Sequence, residues 1–264
     1  MKERIRLFME NYNNWEERAR IAVEHTNQMD KNYTDEINKC LGQSMIYNRD
    51  MNNIPVNIGF DKTPEYIVDD IDSVGAIFKY QEEGKRIAVL NFASYRNPGG
   101  KFIQGSKAQE ECLCHESFLY NILRTQTNYY NWNLMHMNNG LYMNRALYTP
   151  DIRFFRDNKS VLCDVITCAS PNRRRGNNFG RFTNEENAKA LASRISFICD
   201  IASTRRVDIA IFGAFGCGVF EQDPNEVALN FKRYLDNRSY MQKVVFAVPA
   251  GRNKKNYLCF KNVF

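Results

Sequence analysis

The sequence predicts a three-layer α/β fold, with helices on both faces of a buried sheet. Short apolar runs alternate along the chain with stretches of helical periodicity. The clearest runs are RIAVLNF (86–92), CDVITCA (163–169) and VDIAIF (207–212). Strands that are buried on both faces have this continuous apolar pattern, and the helices between them cover the sheet. No internal repeat and no linker rich in Pro, Gly or Ser divides the chain.

The composition excludes several classes of protein. Of the 264 residues 44% are hydrophobic and 25% charged, which is unlike disordered or collagenous chains. No apolar run approaches the roughly 18 residues of a membrane helix, and the charged N-terminus lacks a secretory h-region. The formal charge of +6 is spread out, and its densest cluster is Arg173–Arg175. A protein dedicated to nucleic acid usually has a longer basic stripe, so we expect neither a membrane nor a nucleic acid as the primary partner.

The cysteines argue against a metal framework. The eight cysteines are irregularly spaced without a CxxC pair, and the chain has only three histidines. Several cysteines lie within apolar runs, where a reduced thiol behaves as a small hydrophobic group. We therefore expect no metal, and an intracellular location, in the cytoplasm or in a eukaryotic nucleus.

The first 60 residues are predicted to form a helical extension of a domain that spans residues 61–264. Apolar residues at steps of three or four predict an amphipathic helix that packs on the main body. The stretch from Asn27 to Lys62 is polar and has weak periodicity, so it is interpreted as a partly irregular connector. The apolar stripe consists of Ile5, Phe8, Tyr12, Trp15, Ala19 and Val23.

From residue 65 the predicted elements alternate regularly. Asp223 and Pro224 favour a helix start, because the Asp side chain caps free amides and Pro needs no donor in the first turn. The loop that contains Pro171 and three arginines separates two elements, and Thr125–Asn158 has no clean period. The elements are a strand at Glu65–Asp69, a helix at Ser73–Glu83, a strand at Arg86–Phe92, a helix at Gln109–Arg124, a strand within 163–169, a helix at Asn184–Ser203, a strand at 207–212, a helix from Asp223 and a strand at 243–248.

Three strands run directly into loops rich in Gly, Pro or Asn. They end near Phe92, Ala169 and Phe212. In open α/β sheets ligands bind outside the carboxyl ends of the strands. The sequence therefore predicts that these loops converge on one crevice.

The loop Gly213–Phe220 has three glycines in six residues between a strand and a helix. Successive amides without side chains curl around anions in phosphate-binding loops. The loop lacks the Lys-Ser/Thr ending of a P-loop and the spacing of a dinucleotide fingerprint. A tight turn that needs small residues is an equally good interpretation. For Cys217, a filler role is favoured over a nucleophile, because no His partner can be identified.

The segment Asn91–Tyr120 carries the candidate catalytic group. Pro98, Gly99 and Gly100 mark a turn that permits close backbone approach. Glu110 and Glu111 follow in the first turn of a predicted helix, where carboxylates are usually solvated partners of the helix dipole. Here a long glycine loop delivers them to the predicted crevice. A carboxyl group crowded by another carboxylate and partly desolvated has a raised pKa, which suits a general acid.

These residues resemble a known family. PGGKFIQGSKAQEE is similar to the signature of the poly(ADP-ribose) glycohydrolases (PARG), in which a glycine run precedes Gln-Glu-Glu by six to eight residues. The resemblance covers roughly residues 60–264 and implies a macrodomain-like fold with a mixed sheet. Further segments resemble the microbial type in the same order: NFASYRNPGG, SFLYNIL, ITCASPN, GAFGCGVFEQDPNEVA and FAVPAG.

The resemblance also implies residue roles. Glu111 would be the acid and then the base of glycosidic cleavage, Glu110 would orient the distal ribose, and Gln109 completes the catalytic motif. One of Asp69, Asp70 and Asp72 would contact adenine. Lys101 departs from the family pattern, since it replaces the third glycine and puts processing of long polymers in doubt. The implied ADP-ribose site comprises Asn91, Gly99, Gly100, Lys101, Asp70, Asp72, Gly213, Ala214, Phe215, Gly216, Cys217, Gly218, Val219 and Phe220.

The function that follows is a hydrolase that reverses ADP-ribosylation. It would cleave the O-glycosidic ribose bond of poly- or oligo(ADP-ribose) and release ADP-ribose, as a monomer without cofactor or metal. Its partners would be ADP-ribose and ADP-ribosylated protein or polymer. The alternatives are a macrodomain that binds ADP-ribose without cleaving it, a hydrolase of mono-ADP-ribosylated targets, and a nucleic-acid-associated protein.

Overall fold

The computed structural model describes residues 14–48, 62–236, 239–252 and 254–264, which form one mixed seven-stranded sheet covered by helices. The strand order is β1-β4-β5-β3-β6-β7-β2. Strands β5, β3, β6, β7 and β2 pair in parallel, whereas β4 is antiparallel to both β1 and β5. The strands are β1 (Met45–Asn48), β2 (Glu65–Asp69), β3 (Ile87–Phe92), β4 (Arg145–Arg156), β5 (Lys159–Cys168), β6 (Ile209–Phe212) and β7 (Lys243–Ala247).

The helices of the described ranges are α1 (Trp15–Asn32), α2 (Thr34–Gln43), α3 (Ser73–Tyr80), α4 (Gln109–His115), α5 (Leu119–Leu123), α6 (Thr127–Met135), α7 (Arg173–Phe179), α8 (Asn184–Thr204), α9 (Pro224–Leu235) and α10 (Lys255–Val263). A 3₁₀ turn at Phe102–Gln104 precedes α4. Within these ranges, no helix is both long enough and apolar enough to cross a membrane.

The core has two halves, one on each face of the sheet. Successive residues of a strand face opposite sides, so Val89 packs in one half and Leu90 in the other. Residues of α1–α6 fill the half around Val89, and residues of α8–α10 fill the half around Leu90. This arrangement confirms the predicted three-layer fold.

The predicted helix at Gln109–Arg124 is wrong in one respect, because the structure divides it into α4 and α5. The backbone between them turns toward β4, where the Phe155 N–H donates to the Glu116 carbonyl at 2.8 Å. A carbonyl that pairs with a strand cannot continue the helical ladder. The break therefore has a tertiary cause that the local pattern does not contain.

Several elements lie where the sequence predicted loops or made no assignment. The connector from Asn27 to Lys62 contains the end of α1, α2 and β1, and the arginine-rich loop contains α7. The stretch Thr125–Asn158 contains α6 and β4. Strand β4 lacks a clean alternation because its register shifts between Thr149 and Ile152. No element was assigned to the last residues, which form α10.

The predicted apolar stripe of the N-terminal helix is also wrong. Trp15 is 59% exposed and Val23 48%, and Ala19 is only half-buried. The face that packs on the body includes polar side chains that hydrogen-bond to other segments, which an apolar pattern cannot predict. Its buried residues are Arg18, Ile21, Ala22, His25, Thr26 and Met29. The stripe residues Ile5, Phe8 and Tyr12 lie outside the described residues, as do residues 49–61, so the boundary near residue 60 stays a prediction.

Candidate active site

The predicted crevice lies at the carboxyl ends of β5, β3 and β6, which are neighbours in the sheet. Phe92 ends β3 and Ala93 follows it, Ser170 follows β5, and the glycine loop from residue 213 to 220 follows β6. These segments line a cavity of about 270 Å³. The convergence of the three loops, which was predicted from the sequence, is confirmed.

A second cavity of about 250 Å³ continues from the first. Phe92, Gln109 and Ala214 border both cavities, so the two form one elongated cleft. The second cavity is bordered at its other end by the N-terminus of α3, at Asp72, and by the segment after β7. An extended ligand could lie across both.

Gln109 fixes the start of α4 against the sheet. Its Oε1 accepts from the Phe92 N–H at 2.8 Å, and its Nε2 donates to the Leu90 carbonyl at 2.8 Å and to Ser73 Oγ at 3.1 Å. Both heavy atoms of the amide are thus engaged by protein groups. This side chain positions the two glutamates that follow it.

Glu110 is buried, with 3% of its surface exposed. Its Oε2 accepts from the Ser94 N–H at 2.7 Å, and its Oε1 accepts from Asn91 Nδ2 at 3.2 Å. Burial raises the pKa of Glu110 to about 8, the charge of Glu111 raises it further, and the Ser94 N–H opposes the shift. Glu110 therefore holds a proton at neutral pH.

Glu111 is also buried, and one of its oxygens is without a partner. Its Oε1 accepts from the Lys101 N–H at 2.9 Å, whereas Oε2 has no hydrogen-bond partner among the described residues. The buried Oδ1 of Asn91 is likewise without a partner there. Buried polar atoms are normally satisfied, so these two acceptors suit the hydroxyl groups of a bound ligand.

The glycine turn before α4 brings its backbone against the two carboxyl groups. Gly100 has a φ of +63°, and a Cβ there would lie 2.5 Å from Glu111 Oε1 and 3.0 Å from Glu110 Oε2. Gly99 has a φ of +62°, and a Cβ there would meet the Tyr120 ring at 2.6 Å. Both positions require glycine.

Lys101, the departure from the family pattern, does not obstruct the cleft. Its φ of −115° is accessible to any residue, so the third position of the turn needs no glycine. Its side chain is exposed and borders neither cavity. The interaction that matters for the site is made by its backbone N–H.

The glycine loop after β6 shows features of both interpretations left open by the sequence. A Cβ on Gly213 would lie 2.6 Å from the Ala247 carbonyl oxygen, and one on Gly216 would lie 2.1 Å from Ser170 Oγ. Tight packing therefore explains two of the three glycines. No atom lies within 4 Å of a Cβ on Gly218, so packing does not require glycine there.

The amides of this loop point to the second interpretation. Five of its N–H groups donate to no acceptor among the described residues. Unused donors beside a cavity are what an anionic group binds. They belong to Ala214, Gly216, Gly218, Val219 and Phe220.

Cys217 is poorly suited to nucleophilic chemistry. Burial raises the pKa of its thiol to about 12. The thiolate is the reactive form, so this side chain fills space beside the core. Among the described residues, no group of three or more His, Cys, Asp or Glu is placed to hold a metal ion.

The family model of the microbial-type PARG catalytic domain matches residues 17–157, which is more than half of the chain. The chain belongs to this family. The resemblance found in the sequence is thus confirmed, and the chain is a PARG-type glycohydrolase.

Solved PARG structures share the fold over nearly the whole chain. The PARG of Thermomonospora curvata is 25% identical, with a TM-score of 0.84, over 94% of this chain and 99% of that one. Its complex with the inhibitor ADP-HPD gives a TM-score of 0.83 at 25% identity and the same coverage. The PARG of Deinococcus radiodurans in complex with ADP-ribose is 26% identical, with a TM-score of 0.78, over 86% of this chain and 96% of that one. These structural matches confirm the macrodomain-like fold. No curated protein matches the chain.

The early aspartates of this PARG-family chain are already engaged by protein groups. Asp69 accepts from Lys79 and Tyr80, and Asp70 accepts from the Ala250 N–H at 2.7 Å. Asp72 caps α3, forms two hydrogen bonds with Arg156 and is the only one of the three that borders a cavity. Which of the three would contact adenine stays a prediction.

Sequence reasoning missed an aromatic wall beside Phe220. The Tyr142 ring lies 6.1 Å from the Phe220 ring and stacks on Tyr95 at 4.2 Å. Tyr95 lies in a motif that was singled out, but Tyr142 falls in a stretch without periodicity. Its φ of +60° is rare for an aromatic residue and marks a position under constraint.

Proposed function

We propose that Glu111 is the general acid and base with which this chain cleaves the glycosidic bond to the distal ribose of an ADP-ribose unit. The observation that carries the proposal is the buried Oε2 of Glu111, which has no partner among the described residues. The same side chain interacts electrostatically with the neighbouring Glu110 carboxyl group. A catalytic proton donor must leave one oxygen free for the reacting group.

The elongated cleft suits one ADP-ribose unit. The unused amides of the glycine loop would bind the diphosphate, and the cavity that ends at Asp72 would take the adenosine. The distal ribose would then lie at the Phe220 end, on the side of Glu110 and Glu111, which themselves border neither cavity. The neighbouring structures support ADP-ribose as the ligand, since the PARG of D. radiodurans was solved with ADP-ribose and that of T. curvata with the inhibitor ADP-HPD.

The reaction needs two proton transfers, one from Glu111 to the leaving oxygen and one from water back to Glu111. As the bond between C1″ and the leaving oxygen lengthens, positive charge develops on the ribose and Glu111 donates its proton to that oxygen. A water molecule then attacks C1″ and transfers a proton to Glu111, which restores the acid. The products are ADP-ribose and the free hydroxyl of the leaving group. The anionic diphosphate and the carboxyl pair stabilise the positive charge.

Three other side chains would hold the ribose in place. Asn91 Oδ1 and the Glu110 carboxyl would bind its hydroxyl groups, and Phe220 would pack against the ring. Gln109 would act through α4 rather than on the substrate. General acid–base help supplies about 10²–10⁴-fold, so the remainder of the acceleration comes from this orientation.

The proposal is tested with two substrates and one ligand. The protein is incubated with poly(ADP-ribose) and, separately, with mono-ADP-ribosylated protein, and ADP-ribose release is followed. Calorimetry measures the binding of free ADP-ribose. We expect binding and release from the polymer. Binding without release from either substrate would favour a macrodomain that binds ADP-ribose without cleaving it. Release from the mono-ADP-ribosylated protein alone would favour a hydrolase of mono-ADP-ribosylated targets. Salt-sensitive nucleic acid binding without ADP-ribose binding would favour a nucleic-acid-associated protein.

The carboxyl pair predicts an alkaline limit to activity. Because the pKa of Glu110 is about 8, its carboxyl group loses its proton as the pH rises through that value and then places a negative charge beside Glu111 and the bound ribose. We expect kcat/KM to fall above pH 8 by about tenfold per pH unit, as the protonated form of Glu110 is lost. In Glu110→Gln the fall of kcat/KM should no longer begin near pH 8, because the titrating carboxyl group is absent. A wild-type profile that stays flat up to pH 10 would contradict a role for the protonated Glu110 carboxyl group.

A further inference from the structure

The N-terminal helix α1 contacts the chain on both sides of the helix that carries the glutamates. Before α4, Arg18 Nε donates to the Gly105 carbonyl at 2.6 Å. After α4, His25 Nε2 lies 2.7 Å from the Ser117 carbonyl oxygen. Helix α1 thus brackets the catalytic helix, although neither cavity is bordered by it.

The contact with Gly105 is unusually close. A Cβ at this position would lie 2.1 Å from the Trp15 carbonyl oxygen and 3.0 Å from the Ala19 nitrogen. Gly105 also has a φ of +79°. Only glycine allows the backbone of α1 to approach the turn to this distance.

A short rigid path connects Gly105 to the catalytic carboxyl. The Lys101 carbonyl accepts from the Gln104 N–H at 3.0 Å and from the Ser106 N–H at 3.2 Å, so the turn closes on itself around Gly105. The N–H of the same Lys101 donates to Glu111 Oε1. Phe102 fills the turn and is fully buried, with the His115 ring 4.6 Å away and the His25 ring 6.3 Å away. A displacement at Gly105 would therefore reach the Glu111 carboxyl.

Packing alone does not explain why a charged Arg18 side chain is buried at this position. It is 7% exposed, and burying a guanidinium group carries a desolvation cost that an apolar side chain would avoid. A directed hydrogen bond fixes one geometry, which non-directional apolar contact does not. The arrangement is suited to holding the turn in place.

We propose that Arg18 is a positioning residue for the reaction: through Gly105 and the Lys101 amide it holds the Glu111 carboxyl in its reactive orientation. The inference rests on the role proposed above for Glu111. It gives the N-terminal helix a function in turnover that the cleft itself does not reveal.

The test compares Arg18→Met with Arg20→Met, a matched control two residues further along the same helix. Arg20 is exposed, and among the described residues it pairs with Glu17 and Glu24 on the same helix. We expect Arg18→Met to lower kcat by tenfold or more, since misplacement of about 1 Å costs on the order of 10²-fold. The Kd for ADP-ribose should stay within twofold, because the cleft residues lie on other elements. Arg18→Lys, which keeps a donor, should give an intermediate kcat, and it serves if the Met variant fails to fold.

A double variant separates this inference from the proposed function. In a Glu111→Gln background, Arg18→Met should cause no further loss of the residual activity. Arg18 acts on turnover through the Glu111 carboxyl group, which this background already lacks. An unchanged kcat in Arg18→Met would overturn the inference, and so would parallel losses in kcat, ADP-ribose affinity and Tm, which indicate a merely structural role. Full activity of Glu111→Gln alone would reject the proposed function instead.

Discussion

Glu111→Gln should reduce the release of ADP-ribose by about 10²–10⁴-fold, the contribution of a positioned general acid. The amide keeps the shape of the side chain and can still accept from the Lys101 N–H, but it has no proton to donate at neutral pH. Steady-state release of ADP-ribose from poly(ADP-ribose) measures the loss. The effect should appear in kcat.

The binding of ADP-ribose provides the internal comparison for this variant. Its Kd, measured by calorimetry, should change little, because the diphosphate and adenosine would be held by other loops. Glu83→Gln is the matched control, since Glu83 is exposed and lies in the connection between α3 and β3, outside α4 and the glycine loops. Turnover equal to that of the control would show that another group supplies the proton.

Gly100→Ala should lower kcat by about 10²-fold while leaving the fold intact. The new methyl group would lie 2.5 Å from Glu111 Oε1, which is the far end of a flexible side chain. The side chain can therefore yield without disturbing the core, but in doing so it moves the catalytic carboxyl. The loss is measured with the same release assay, alongside Tm.

Gly84→Ala separates this effect from backbone strain. Gly84 has a φ of +73°, close to that of Gly100, but no atom lies within 4 Å of its added Cβ. Both substitutions carry a strain cost of about 1–2 kcal/mol for a left-handed residue. Similar losses of Tm with loss of kcat only in Gly100→Ala are expected. If the two variants keep equal activity, Glu111 is not held by the turn as described.

The sequence was sufficient to predict the parts of the site that depend on strand ends and short motifs. Residues such as Phe92 and Ser170 follow from the rule that loops after neighbouring parallel strands converge. The pair Glu110 and Glu111 was recognised because the glycine turn and the helix start are adjacent in the chain. The start of α9 after Asp223 could likewise be predicted from neighbouring residues, because the Asp223 side chain accepts from the Asn225 and Glu226 N–H groups.

What the sequence could not predict depends on contacts between distant segments. The division of α4 from α5 follows from pairing with β4, and the buried face of α1 follows from acceptors at Gly105 and Ser117. Arg18 and His25 on that face are polar, so an apolar stripe identified the wrong side of the helix. The raised pKa of Glu110 follows from its burial, which the local sequence does not show.

The structure of Glu111→Gln with ADP-ribose tests the central claim most directly. We predict that the side chain at position 111 lies within hydrogen-bond distance, about 3 Å, of the oxygen on the anomeric C1″. The amides of the loop from Ala214 to Phe220 should contact the diphosphate in the same complex. A distal ribose turned away from position 111, or a diphosphate bound elsewhere, would contradict the account.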